Sequence, residues 1–189
     1  MRHRGSLPNW ALGLWAAAWL GCSSEPASAD EVWLDVDTGQ RTLTVLEGSE
    51  PVRVFENISF GRNGVTTEKV LRDRKTPLGS YRVRRFNDNS RFHLYFGFDY
   101  PNLEQAQSAF RSGRISYDQL KAIRRAHYLE TEPPADTPLG GFIGIHGLGD
   151  GDPRIHEDFN WTDGCIALTN EQVDELAEWV RIGTRVEVH

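Results

Sequence analysis

Cysteine is scarce in this chain. Only Cys22 and Cys165 occur in 189 residues, so a disulfide scaffold is excluded as the source of stability. Basic runs interleaved with aromatics are also missing, and the formal charge is −6, which argues against nucleic acid as a partner. Residues 1–29 contribute Arg2, Arg4 and Glu25, so the remainder holds 19 basic and 26 acidic residues, a charge of −7. Long apolar runs are lacking too: Trp10–Leu20 spans eleven residues, and a spanning helix needs about twenty. Metal-site spacings are absent as well. His146, His156 and Cys165 fit no compact zinc pattern, and Asp150-Gly-Asp152 lacks the continuation of a calcium loop. No metal and no organic cofactor is expected. What is present is ordinary: 39% hydrophobic and 25% charged residues, enough for one domain with a sizeable core.

Residues 1–29 read as an export signal. Arg2 and Arg4 form a positive start, and the apolar run follows. Two processing sites compete. Leu20-Gly-Cys22-Ser23 resembles a bacterial lipobox and would leave a lipid-modified Cys22, although Trp19 occupies a position that favours small aliphatic residues. Ala27-Ser-Ala29 offers cleavage before Asp30. An uncleaved anchor is the third reading. In each case the domain is 30–189, exported to the periplasm or cell envelope, and a lipid anchor through Cys22 follows from the first. Cys165 is then the domain's one thiol. An unpaired thiol in an oxidising compartment is easier to explain if it does chemistry.

From Glu31 the pattern is mainly β, a β-rich α+β fold. Val32, Leu34 and Val36 alternate with Trp33 and Asp35, Asp37–Gln40 supplies a turn, and Thr42–Leu46 alternates again. Further strands are expected over Val52–Phe60, from Tyr81 to Arg85 after a tight turn at Thr76–Gly79, over Phe92–Phe98 and over Thr184–Val188. Arg72, Arg74 and Lys75 are expected on a solvated face. Residues 101–127 break the pattern into a helical hairpin. Asn102 caps the first helix, and Ser116 with Gln119 forms a capping box for the second, whose buried face would hold Leu120, Ile123 and Arg124. The hairpin and its proline-rich exit read either as a lid over a cleft or as a surface insertion. Residues 149–158 read as a loop. Thr169 and Gln172 form another capping box, for a last helix burying Val173, Leu176, Ala177 and Val180.

The chain's chemistry is concentrated in two apolar runs, Phe142–Leu148 and Asn160–Leu168. Both read as buried strands bounded by glycine, which would set His146 and Cys165 near the ends of neighbouring strands. A thiol becomes nucleophilic when deprotonated, and a neutral imidazole in hydrogen-bond reach is the usual base. Gly164 leaves room for substrate beside the thiol and could aim backbone N–H groups at an oxyanion. The bland alternatives are an inert core cysteine and a satisfied core histidine. His156 and Arg154, in the intervening loop, are candidates for substrate contact.

These residues carry a family resemblance. His146-Gly147, fifteen residues from Gly147 to Trp161, and then Thr162-Asp-Gly-Cys-Ile166 resemble the signature of L,D-transpeptidases of the YkuD type. In that family the histidine is followed at this distance by Ser or Thr, any residue, Gly, Cys and an aliphatic residue. Arg74-Lys-Thr-Pro-Leu-Gly-Ser-Tyr81 is similar to the family's Arg-Thr-Pro-x-Gly-x-Tyr segment. The resemblance covers about Glu31 to His189 and implies a YkuD-like mixed β-sheet with a helical insertion and a C-terminal helix.

The resemblance further implies a peptidoglycan L,D-transpeptidase. Cys165 would attack an amide carbonyl of a peptidoglycan stem peptide, with His146 as general base and then acid, and an amine would resolve the thioester. The Gly147 carbonyl would orient the imidazole, with Thr162 and Gly164 in supporting or oxyanion roles and Asp163 beside the substrate. Family members are acylated by carbapenems at this cysteine. Asp163 stands where many members carry His or Lys, and Ala167 where many carry Arg or Asn, which leaves the acyl acceptor open. Two alternatives stand beside this reading: a thiol amidase or peptidase that hydrolyses stems or protein–wall linkages, and a non-catalytic wall-binding lipoprotein.

Overall fold

A computed structural model describes Met1 and residues 31–189; the expected export signal, with Cys22 and both candidate processing sites, falls on residues 2–30, outside the described residues. Strand β1 (Val32–Asp37) and β2 (Thr42–Glu47) form the expected hairpin, paired from Val32↔Glu47 to Asp37↔Thr42. Leu34, Val36, Leu43 and Val45 are wholly buried, the inward set of a period-two pattern. The Asp37 carboxylate closes the turn by accepting from the Gln40 backbone and side chain, both at 2.8 Å. Strand β3 (Glu50–Glu56) is shorter than the sequence suggests. It is the sheet's edge and buries only Phe55, and the chain leaves it at Asn57, where φ is +59°.

The short strands β4 (Val65–Thr66) and β5 (Thr76–Pro77) pair in parallel, so the expected tight turn at Thr76–Gly79 begins as a strand. Strand β6 (Gly79–Ser90) runs past Arg85, and β7 (His93–Phe98) returns against it. The hairpin helices follow: α1 (Leu103–Arg111) and α2 (Tyr117–Tyr128). Both open with full capping boxes, Asn102 with Gln105 and Ser116 with Gln119. Ala126 takes the buried place expected for Arg124, which is exposed because its guanidinium finds water on that face.

After the hairpin come β8 (Gly144–His146), α3 (Pro153–Asp158), β9 (Ile166–Ala167), α4 (Asn170–Leu176) and β10 (Arg185–Val188). Residues 153–158 are therefore helical, not loop. Asp152 caps the helix through the Arg154 N–H, and Pro153 sits at its first position, where its missing N–H costs nothing. Helix α4 is the expected last helix, burying Val173 and Leu176, with Val180 buried just beyond its end.

The main sheet has eight strands in the order β3-β2-β1-β10-β6-β7-β8-β9. The β1–β10 and β8–β9 pairs are parallel and the others antiparallel, so the sheet is mixed. One large core joins the sheet to α4. A smaller one, from Ala106, Ala109, Ile115, Leu120, Ile123 and Leu139, holds the hairpin together. Gln105 fastens the hairpin to the sheet by donating to the Leu78 carbonyl at 3.0 Å and the Tyr81 hydroxyl at 2.7 Å.

Candidate active site

Register decides which side chains meet. Asn87 pairs with Tyr95, and Tyr95 with His146, so the three lie on one face of the β6–β7–β8 ladder. Strand β8 runs parallel to β9 with Ile145 opposite Ile166, which sets Cys165 opposite Gly144. Asn87, Tyr95, His146 and Cys165 line a cleft of about 440 Å³ together with Phe92, Trp161 and Asp163. The cleft therefore brings together the histidine and cysteine singled out from sequence.

The turn that carries Cys165 is tied from several sides. Thr162 Oγ1 donates to the Cys165 carbonyl at 2.6 Å and accepts the Gly164 N–H at 3.1 Å. The Gly164 N–H is thus already used, and Thr162 holds the turn rather than facing an oxyanion. Gly164 sits at φ +135°, and a Cβ there would come within 2.7 Å of the Lys75 carbonyl. From below, Thr76 Oγ1 donates to the Gly164 carbonyl at 3.0 Å and accepts the Gly61 N–H at 2.9 Å. The Thr-Pro-x-Gly segment accordingly supports the cysteine turn from behind. Lys69, unremarked in the sequence, is buried beside it, with Nζ donating to Asp73 at 2.6 Å and to the Lys75 carbonyl at 2.8 Å. Nothing in the local sequence distinguishes Lys69 from its exposed neighbours Arg72 and Arg74.

Burial favours the neutral form of both the Cys165 thiol and the His146 ring. Burial pushes the Cys165 thiol up to about 11, opposed in part by the Gly144 amide. The thiol donates to the Phe142 carbonyl at 3.3 Å. Burial likewise pushes His146 down to about 4, against the pull of the Gly147 carbonyl. That carbonyl accepts from His146 Nδ1 at 2.7 Å, which assigns the proton to Nδ1 and leaves the lone pair on Nε2. Phe92 stacks on the imidazole at 4.3 Å, and Trp161 meets it edge-on at 5.6 Å. Sequence reasoning misses both aromatics. Phe92 opens a run that reads as core, and the only sequence signal for Trp161 is its place just before Thr162.

The substrate-contact candidates separate. Asp163 lines the cleft, and its carboxylate meets Arg62 at 2.9 Å and Arg74 at 3.9 Å. Arg154 is exposed and pairs with Asp152 at 3.1 Å, away from the cleft. His156 is 1% exposed and lies behind Trp161, so it does not border the cleft as expected. It is the buried position of α3, with its ring turned toward the Trp161 indole. The hairpin helices contribute no lining residue; only Gly141, Phe142 and Ile143 of the exit segment do. Among the described residues no three His, Cys, Asp or Glu side chains assemble into a metal site. His156 Nδ1 in particular is occupied by the Trp161 indole.

Comparison with known proteins gives the family. The profile of the YkuD L,D-transpeptidase catalytic domain matches residues 31–188, and the chain belongs to that family. The fold is similar to that of the helical cell shape determining protein Pgp2 from Campylobacter jejuni, with a TM-score of 0.56 and 24% identity over 85% of this chain and 48% of that one. Bd1075 of Bdellovibrio bacteriovorus is similar with a TM-score of 0.54 and 19% identity, again over 85% of this chain and 48% of that one. The chain therefore spans about half the length of these solved structures. No curated protein matches it in sequence.

Proposed function

We propose that the chain is an exported peptidoglycan L,D-transpeptidase acting through a thioester on Cys165. The observation that carries this reading is the cleft shared by Cys165 and His146, whose Nδ1 is committed to the Gly147 carbonyl at 2.7 Å. A neutral thiol and a neutral imidazole imply that the proton moves as bond formation begins. His146 Nε2 takes the thiol proton while sulfur attacks the amide carbonyl of a stem peptide. The same proton then goes to the departing amine. A second amine attacks the thioester, gives up its proton to Nε2, and releases the thiol. Because Thr162 occupies the Gly164 N–H, the N–H of Cys165 itself is our assignment for the oxyanion donor. Asp163, held by its arginine partners, lines the same cleft and would flank the substrate. Lipidation at Cys22 would place this domain at a membrane surface facing the wall.

Intact-mass spectrometry of the full chain tests the proposal. A carbapenem adduct on the wild type and none on Cys165→Ala supports an activated thiol. Incubation with tetrapeptide muropeptides then separates cross-linked or exchanged products from hydrolysed ones. Hydrolysed products alone would replace transfer with the amidase reading, and muropeptide binding without adduct or product would leave a binding module.

A further inference from the structure

His156 is buried in α3 with one nitrogen used and the other idle. Its Nδ1 accepts from the Trp161 indole N–H at 3.2 Å. An accepting Nδ1 requires the neutral ring to carry its proton on Nε2. That Nε2 is buried and has no hydrogen-bond partner among the described residues. An unpaired buried donor costs stability, so as packing material His156 is inferior to a leucine of similar volume. The backbone around it is nonetheless held firmly. Arg41 donates to the His156 carbonyl at 3.2 Å, to that of Glu157 at 3.1 Å and to that of Ile58 at 3.0 Å.

What the histidine holds is the wall of the active site. Trp161 stands between two imidazoles, with its ring 6.4 Å from His156 at 62° and 5.6 Å from His146 at 63°. Phe92 covers one face of His146, and a stacked ring by itself leaves the imidazole free to slide in its own plane. Its Nδ1 bond to Gly147 fixes one point of that plane, and contact with the steeply inclined Trp161 ring supplies a second. We propose that His156 is a positioning residue for the reaction assigned to Cys165 and His146, acting through the Trp161 indole to hold the His146 ring in line with the thiol. The inference rests on that assignment, and it gives a use to a ring nitrogen and an indole N–H that the chemistry itself does not touch.

The test uses the full chain and compares His156→Leu, His156→Asn, Trp161→Phe and the double variant His156→Leu/Trp161→Phe. Asparagine places an acceptor oxygen near the Nδ1 position; leucine fills the volume without one. The expected result is about a tenfold fall in kcat for His156→Leu, with KM within twofold and the melting temperature close to wild type, because removing the unpaired Nε2 offsets the indole N–H left without its acceptor. His156→Asn should retain activity within about threefold of wild type. The double variant should be no slower than Trp161→Phe, since both changes break one bond. Wild-type kcat in a folded His156→Leu protein overturns the inference, and so do multiplicative losses in the double variant. If His156→Leu does not fold, Trp161→Phe and His156→Asn decide alone: Trp161→Phe with wild-type kcat overturns it, and a lowered kcat in Trp161→Phe with near-normal His156→Asn supports it. A wild type that forms no Cys165 acyl adduct removes the parent assignment as well, and is thereby distinguished from failure of the positioning role.

Discussion

The two ends of the sheet are built on different principles. At the β1–β2–β10 end the buried positions are aliphatic and regular, with Leu34, Val36, Leu43, Val45, Val186 and Val188 facing the core. At the β7–β8–β9 end the strands shrink to three and two residues, and the buried set includes Lys69, Thr76, His146, His156 and Thr162. The first end is specified by period-two burial, each fully buried aliphatic side chain contributing about 1.5–3 kcal/mol. The second is specified by side-chain hydrogen bonds between distant segments. Each such group loses more when its partner is removed than it gains when the bond is made. Both ends share one apolar core, and what distinguishes the second is the buried polar set added to it around the Cys165–His146 cleft.

The largest break in that comparison is Cys165→Ala. Loss of the proposed nucleophile should lower turnover by at least about a thousandfold, while thermal unfolding stays close to wild type because only the sulfur is removed. Leu43→Ala should do the opposite. It opens a cavity under a wholly buried side chain and should cost about 2–5 kcal/mol in denaturant unfolding. Acylation of the fraction that remains folded should be unchanged. Impaired acylation in a fully folded Leu43→Ala variant would show the two ends to be coupled.

Much of the first end is legible in the sequence because its determinants are local. The alternation in Val32–Val36 and Thr42–Leu46 marks a hairpin, and local signals likewise mark helix starts elsewhere, Asn102 as the cap of α1 and the Ser116/Gln119 and Thr169/Gln172 capping boxes for α2 and α4. The Cys165–His146 proximity is legible in outline from two glycine-bounded apolar runs that read as neighbouring strands, and the resemblance to a family motif sharpens it, since no local rule alone brings positions nineteen apart into one cleft. What escapes is long-range. Lys69 is identical in kind to its solvated neighbours until the fold buries it. Phe92 looks like core until the Tyr95↔His146 register fixes it beside the imidazole. His156 looks like a loop residue unless Asp152-Pro153 is read as the start of a helix.

Thr76→Val probes one of those long-range links. It removes the hydroxyl that accepts from Gly61 and donates to Gly164, leaving two buried backbone groups unpaired. A stability loss of about 2 kcal/mol is expected. The rate of Cys165 acylation should fall about tenfold as the turn shifts. Acylation of the Thr76→Val variant at the wild-type rate would show that the cysteine turn is rigid without this support.

Acid should separate the ends by charge. His146 binds a proton at about 4 in the folded chain against 6.5 in the unfolded one. Between those values the unfolded state holds more protons, so stability rises with pH there and falls as the solution is acidified from 6.5 toward 4. The full linkage is about 3 kcal/mol, and His146→Gln should flatten that slope in a melting series. The acid limb of acylation should likewise lie near pH 4 instead of 6.5. At the alkaline side Cys165, raised from 9.0 to about 11, deprotonates later than the unfolded thiol, so stability is lost as pH rises through that window. Leu43→Ala, which touches no titrating group, should shift the whole melting series down without changing its slope.

The smallest effect belongs to Arg154. Its guanidinium is exposed and meets only Asp152, with contacts of 3.1 and 3.3 Å. Exposed pairs of this kind contribute about 0–1 kcal/mol, and the backbone N–H that Asp152 caps at 2.9 Å survives the substitution. Arg154→Ala should therefore leave denaturant midpoints, kcat and KM at wild-type values. A rise in KM for a muropeptide substrate would instead extend the binding surface past the Trp161 wall to the exposed side of α3. The polar end of the molecule would then begin at the surface, well before the cleft itself.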